Sequence, residues 1–228
     1  TAVVFGRLQS RELRLAAARQ RQHGLQVLTI EQLACRLAGG FHQPIDDEAL
    51  RKSLQAALPA TELGELDAIK LLPGMVDACV DSLRKVWTAR IDLQAAGSHP
   101  RLASMAALET AVLASLPSGM KRPGELVDIA MLRVQHAPAV LGTIDVLGMT
   151  ELQPCWRPLL AELAKVTKVR WVAGARSVPV WLEGCAVEVV QQDMCNRDVQ
   201  VMSASTALHE TVESLRWGRR LIASGAAL

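Results

Sequence analysis

Apolar and polar positions follow three successive rhythms along the chain. Ala2-Val3-Val4-Phe5 is an uninterrupted apolar run closed by Gly6, and it predicts a short buried strand. Ser10 to Gln22 has helical spacing, with Ser10 placed to cap the helix and Gly24 to end it. Val27-Leu28-Thr29-Ile30 predicts a second strand. Thr29 is placed to cap a helix that runs to Leu37 and stops at Gly39-Gly40. Strand, helix, strand, helix in this order predicts a parallel sheet with right-handed crossovers.

From Asp46 to about Ala137 there is little strand signal. Leu50, Leu54, Ala57 and Leu58 fall at helical spacing, as do Met75, Cys79, Leu83 and Val86, and then Leu102, Met105, Leu108 and Val112. Pro59, Pro73-Gly74, Pro100, Pro117-Ser118-Gly119 and Pro123-Gly124 punctuate these segments. An all-helical subdomain inserted into the sheet is the expectation. Strands return at residues 142–148 and at Val169 to Val172, separated by a helix over Gln153 to Ala164 with Pro154 near its first turn. Val178 to Trp181 and Val187 to Val190 read as a hairpin or an extended connection, and Val199 to Ser203 as a final strand. A last helix covers Leu208 to Ala223, entered through Ser203, Ser205 and Thr206 and ended by Gly225. The expected organisation is a first sheet part at 1–45, a helical insertion at 46–137 and a second sheet part at 138–228.

Composition agrees with an α/β class. Half of the 228 residues are hydrophobic, mostly Ala, Leu and Val, which is enough to bury a sizeable core. The net charge of +2 is too mild to argue for a polyanionic partner. Its distribution says more. Residues 1–40 hold Arg7, Arg11, Arg14, Arg19, Arg21 and Arg36 against only Glu12 and Glu31, a local charge of +4. The five cysteines, Cys35, Cys79, Cys155, Cys185 and Cys195, form no CxxC pair, so they read as reduced thiols of a cytoplasmic protein and not as a metal site. No run reaches the roughly 20 apolar residues of a membrane helix, and no signal-peptide pattern is present. The chain opens on Thr directly inside a strand-like run, so a preceding segment is expected.

A strand, a Gly and a helix N-terminus form the geometry that binds phosphates. A working phosphate loop needs a second Gly, a Lys for the β/γ oxygens and a hydroxyl for Mg²⁺. Gly6-Arg7-Leu8-Gln9-Ser10-Arg11-Glu12-Leu13 lacks all three. Gly6, Arg7 and Ser10 therefore mark a degenerate loop, with no nucleotide cofactor expected and weak anion binding its remaining capacity. The counterpart strand of a motor ends in acidic residues. Here Asp145 lies inside its strand, and Glu151 stands alone and reads as a capping or solvent-facing residue.

Arg7, Arg11, Arg14 and Arg21 recur at helical periodicity and are expected on one face. That face is either a phosphate-contacting surface or a solvated one that favours solubility. The histidines are dispersed and form no metal-binding pair, and no G-x-S-x-G elbow supports a hydrolase. Asp67 and Lys70 have the end spacing of a nuclease motif without the strand that should precede it. The tryptophans read as packing residues, with Trp181 or Trp217 the candidates for stacking a base.

Several stretches taken in order resemble one family. Val3-Val4-Phe5-Gly6, Val27-Leu28-Thr29, Glu31 to Phe41, Leu72-Pro73-Gly74-Met75-Val76, Leu83-Arg84-Lys85-Val86-Trp87 with Asp92-Leu93, and Pro154 to Leu160 are similar to the opening of AddB-like proteins of the PD-(D/E)XK nuclease family. Val201 to Ser205, His209-Glu210 and Leu215 to Gly225 resemble the point where that family passes into its second helicase-like half. The resemblance covers almost the whole chain. It implies a superfamily 1 helicase-like fold whose first RecA-like domain (a P-loop NTPase-like parallel sheet flanked by helices) carries an inserted all-helical subdomain. It implies a role in processing double-strand DNA ends for recombinational repair, often with an inactive motor. That family's nuclease site and iron–sulfur cysteines lie far toward the carboxyl end, so no catalytic residue is assigned here.

The leading expectation is a non-catalytic domain that binds DNA, as a single strand or a duplex end, or a helicase partner subunit, with Arg7, Arg11, Arg14 and Arg21 as the contacts. An active ATP-dependent helicase or nuclease subunit is one alternative. A structural, partner-binding fragment without DNA contact is the other.

Overall fold

The first strand, β1 (Ala2–Val4), buries all three of its side chains. Val3 packs into the main core, while Ala2 and Val4 point to the opposite side with Val27, Leu13 and Leu147. That two-sided burial fits an all-parallel sheet covered on both faces. The computed structural model describes residues 1–95, 99–174, 177–191 and 203–225. The chain divides into two compact units, residues 1–193 and 194–228.

In the first unit β1 leads into α1 (Arg7–Arg19), β2 (Val27–Leu28) and α2 (Ile30–Leu37). Then come β3 (Gln43–Pro44), α3 (Asp47–Ala57), α4 (Met75–Ala89), α5 (Pro100–Ser115), β4 (Met120–Lys121), α6 (Pro123–Met131) and α7 (Ala137–Val140). The unit continues with β5 (Ile144–Leu147), α8 (Arg157–Val166), β6 (Val169–Gly174) and β7 (Glu188–Gln191). Five strands form one sheet in the order β2-β1-β5-β6-β7, and every neighbouring pair is parallel. The α/β class and the parallel sheet read from the sequence hold.

The register follows the burial pattern. Val169, Trp171 and Ala173 of β6 are buried and alternate with half-buried neighbours. Leu33, Ala34 and Leu37 of α2, Leu126, Val127 and Ala130 of α6, and Leu159, Leu160 and Leu163 of α8 pack with them in the main core, together with the fully buried Trp156 and Trp171. Thr29 starts α2 as expected. Its hydroxyl accepts the Gln32 N–H at 3.2 Å, and the Gln32 side chain accepts the Thr29 N–H at 3.0 Å.

A second hydrophobic cluster lies among α3, α4 and α5. Leu50, Leu54, Leu58, Val80, Leu83, Trp87, Leu108 and Val112 are among its buried members. The short parallel pair β3 and β4, with Gln43 opposite Met120, sets the two ends of this helical stretch side by side. No sequence signal marked either strand.

Several local expectations are corrected. Ser10 is not an N-cap: α1 begins three residues earlier and is capped by Gly6, which has no side chain to offer. Of the two readings of Val178 to Val190, a hairpin or an extended connection, the described residues do not form the hairpin. Val180–Leu182 is a single 3₁₀ turn, and β7 returns parallel to β6, with Trp171 opposite Val189. Phe5 is not part of the buried strand but is 82% exposed. The strand expected at Val199 to Ser203 falls almost wholly outside the described residues.

In the second unit the described residues form one helix, α9 (Ala207–Ala223). Thr206 caps it by accepting the His209 N–H at 3.2 Å, as its position suggested.

Candidate functional site

An open sheet with this strand order has a topological switch point. The chain passes from β1 to β2 on one side and to β5 on the other, so the crevice between β1 and β5 is where such sheets place ligands. Here that crevice is taken up. Gly148, just beyond β5, has a left-handed φ of 68°, and the side chain of Gln9 lies against it. A Cβ added at Gly148 would stand 2.6 Å from Gln9 Nε2.

The open space lies one strand over, between α1 and the carboxyl ends of β1 and β2. This cleft has a volume of about 670 Å³. Arg7, Ser10, Arg11 and Arg14 reach it from α1, Phe5 and Gly6 from the end of β1, and Thr29 from the end of β2. No Asp or Glu lines it. Gly6 gives α1 no side-chain cap, and the first turn contains no acidic residue. The leading N–H groups of the helix are therefore left for solvent or a ligand.

Arg7, Arg11 and Arg14 are all exposed. Among the described residues none of the three is paired with a carboxylate, although Arg14 donates from Nη2 to the Val27 carbonyl at 3.2 Å. Arg21 does not share their face. It follows the Gln20 C-cap in a left-handed conformation, φ 53°, so helical periodicity no longer governs it. With Arg14 it lines a separate cleft of about 570 Å³ at the far end of α1. The sequence pattern brought four arginines together; the fold joins three.

The carboxylates considered as catalytic candidates are engaged in the scaffold. Both oxygens of Asp145 accept from Arg170, Nε to Oδ1 and Nη2 to Oδ2, each at 2.6 Å across the β5–β6 pair. The hydrogen bonds and charge of Asp145 raise the Arg170 pKa above its ordinary value. Glu151 Oε1 accepts from Trp181 Nε1 at 2.5 Å, from the Leu152 N–H at 2.9 Å and from Arg157 at 3.2 Å. Arg157 also lies over the Trp181 ring, which makes a T-shaped contact with Trp171. Trp181 is thereby held in packing. Asp67 accepts the Leu63 N–H and pairs with Lys70 at 3.0 Å, a local brace on a surface turn. Among the described residues no group of His, Cys, Asp and Glu is placed to hold a metal ion. No described helix is long and apolar enough to cross a membrane.

Sequence reasoning missed Phe5 as a site residue. It counted Phe5 as the last member of an apolar run, whereas the side chain stands in solvent at the rim of the arginine cleft. It saw Thr29 only as a helix cap, and that residue also faces the cleft.

Comparison of the chain with protein-family models, with curated proteins and with solved structures finds no match in any of the three.

Proposed function

We propose that this chain is a non-catalytic, helicase-like domain that holds DNA by its phosphates, as part of a cytoplasmic helicase–nuclease system that processes double-strand breaks. One observation carries the reading: a cleft at the carboxyl end of the sheet with three arginines, no acid and no phosphate-loop lysine. Guanidinium groups recognise phosphate oxygens with two donors at once. The loop lacks the groups that grip a triphosphate and its Mg²⁺, so binding without hydrolysis is the chemistry it retains. The resemblance to AddB-like proteins supplies the DNA-end context and a helicase partner subunit. In that framework the sheet is a RecA-like core, and the α3–α5 cluster is its inserted helical subdomain.

The test is fluorescence anisotropy with labelled single-stranded and blunt-ended duplex DNA over a salt series. Each phosphate contact contributes about 0.9 to the slope of log affinity against log salt for duplex and about 0.7 for a single strand. Changing Arg7, Arg11 and Arg14 together to Gln is expected to lower that slope by about 2–3. Because Arg14 also holds the Val27 carbonyl, the Arg7→Gln/Arg11→Gln double variant serves as the control for folding. An unchanged slope in both variants removes the cleft as the DNA contact. Wild-type protein that binds neither oligonucleotide at low salt leaves partner binding without DNA contact as the function.

A further inference from the structure

We infer that Phe5 is a base-stacking residue, so that the arginine cleft grips single-stranded nucleic acid in preference to duplex; this inference rests on the phosphate-binding reading above. Phe5 is one of only two phenylalanines in a chain with no tyrosine. It leaves β1 at the point where the sheet ends and the cleft opens, and 82% of its surface is in water. A large aromatic ring in solvent forgoes the stabilisation that burying its apolar surface would bring. A flat partner covering the ring recovers that burial.

Several features favour a nucleobase as that partner. The cleft wall beside the ring carries Arg7, Arg11 and Arg14 and no carboxylate, so the field at the ring is positive and suits a polyanion. In α1 the three arginines rise along the axis by about 6 Å and then about 4.5 Å, giving a row of donors beside the ring and not a single point charge. A row of guanidinium groups beside an exposed aromatic face is how sequence-tolerant single-strand binders work. Duplex DNA keeps its bases stacked inside the helix and offers the ring no free face, so only the arginines would engage it. The same composition would also accept an acidic peptide with an apolar side chain, which the experiment distinguishes.

The test compares wild type, Phe5→Ala, Phe5→Trp and Arg7→Gln/Arg11→Gln by anisotropy on labelled oligo-dT, on an abasic oligonucleotide of the same length, and on a blunt hairpin duplex. Phe5→Ala is expected to weaken oligo-dT binding about 5- to 150-fold, with the salt slope and the duplex affinity unchanged. Phe5→Trp should restore it, and the abasic strand should bind wild type and Phe5→Ala alike. Equal oligo-dT affinities for wild type and Phe5→Ala would overturn stacking while leaving phosphate binding in place, provided that Arg7→Gln/Arg11→Gln still lowers the slope. No loss in the arginine variant overturns both. Displacement of oligo-dT by an acidic, leucine-containing peptide that depends on Phe5 more strongly than oligo-dT itself does would reassign the surface to a protein partner. Phe5 is exposed, so the melting temperature of Phe5→Ala should match wild type, and a lower one would show that the ring is packed.

Discussion

Asp145 and Arg170 stand directly opposite each other on adjacent parallel strands and are joined by two hydrogen bonds of 2.6 Å. The carboxylate that holds Mg²⁺ in an ATP-driven motor stands at the carboxyl end of its strand, whereas Asp145 lies toward the amino end of β5, opposite Ala2. Here both of its oxygens are committed to a guanidinium. The pair is only partly shielded from water, so its contribution belongs near the upper end of the exposed range, about 1 kcal/mol. Asp145→Asn and Arg170→Gln should each lower the melting temperature by about 2–4 °C, and the double variant should be no worse than the poorer single one. Additive losses in calorimetry would show that the two side chains act separately. Neither change should alter the proposed binding of DNA at the arginine cleft.

Gly148 is the second point of test. Its left-handed backbone costs any other residue about 1–2 kcal/mol, and an added methyl meets the end of the Gln9 side chain. Gly148→Ala should therefore destabilise the fold by about that amount in urea titration. Gln9→Ala should relieve little of it, because a glutamine side chain can swing aside while the backbone angle cannot. Full rescue by Gln9→Ala would locate the cost in the side-chain contact instead.

Glu109 is buried between two donors, Trp87 Nε1 at 2.5 Å and Arg122 Nη1 at 3.0 Å. Glu109→Ala leaves a buried indole N–H without its acceptor and takes from the half-buried Arg122 guanidinium one of its two carboxylate partners, Glu125 being the other. Breaking a fully buried pair costs about 3–5 kcal/mol, and the partial exposure of Arg122 brings the expectation to about 2–3 kcal/mol. Glu109→Gln keeps the acceptor for Trp87 and should cost less than half as much. Equal losses for the two variants in denaturant titration would show that the charge is the dominant part.

The neighbouring Glu125 predicts an acid limb. Burial opposes its ionisation, but the backbone N–H and the guanidinium of Arg122 outweigh burial and hold its pKa below the ordinary 4.5. A lowered carboxyl pKa stabilises the fold at neutral pH. That stability is lost as pH falls below 4.5 and through the folded-state value. Glu125→Gln should flatten the pH dependence of stability in this window and leave its shape above pH 6 unchanged. An identical acid limb in variant and wild type would mean that other carboxylates set it.

Cys155 is fully buried, and burial pushes its thiol pKa up to about 12. Thiolate is the reactive form, so this cysteine should resist disulfide reagents at pH 8 until the protein unfolds. Burial also raises the thiols of Cys35 and Cys79, though both are only half-buried. Mass spectrometry of the native protein after labelling should find Cys155 unmodified while Cys185 reacts. Rapid native labelling of Cys155 would show that the main core opens around it.

The central strands were legible because their chemistry is local. The valines of β1 and the alternation in β6 state burial directly, and Thr29 with Gln32 spells out a helix start. The start of α1 was not legible, because a glycine cap leaves no side-chain signature, and Ser10 offered a false one. Strands β3 and β4 have two residues each and exist because the helical stretch returns its ends to one place. No local propensity encodes that. The exposure of Phe5 depends on where the sheet stops, which only the neighbouring strands decide. The separation of Arg21 from Arg7, Arg11 and Arg14 depends on a single left-handed residue that periodicity does not register.

The pairing of β1 with β5 has a consequence for how the molecule is made. The Thr1 nitrogen donates to the Thr143 carbonyl across 142 positions of sequence, and β1 is an interior strand of the sheet, between β2 and β5. On a ribosome β1 can align with β2 soon after both emerge, yet its other edge waits until β5 has been synthesised. At about 5–20 residues per second, that interval lasts roughly 7–30 seconds. An apolar strand with one open edge is prone to aggregate for as long as it lacks its neighbour. Chaperone dependence during synthesis, greater than that of the same chain refolded from denaturant, is the expected cost of this topology.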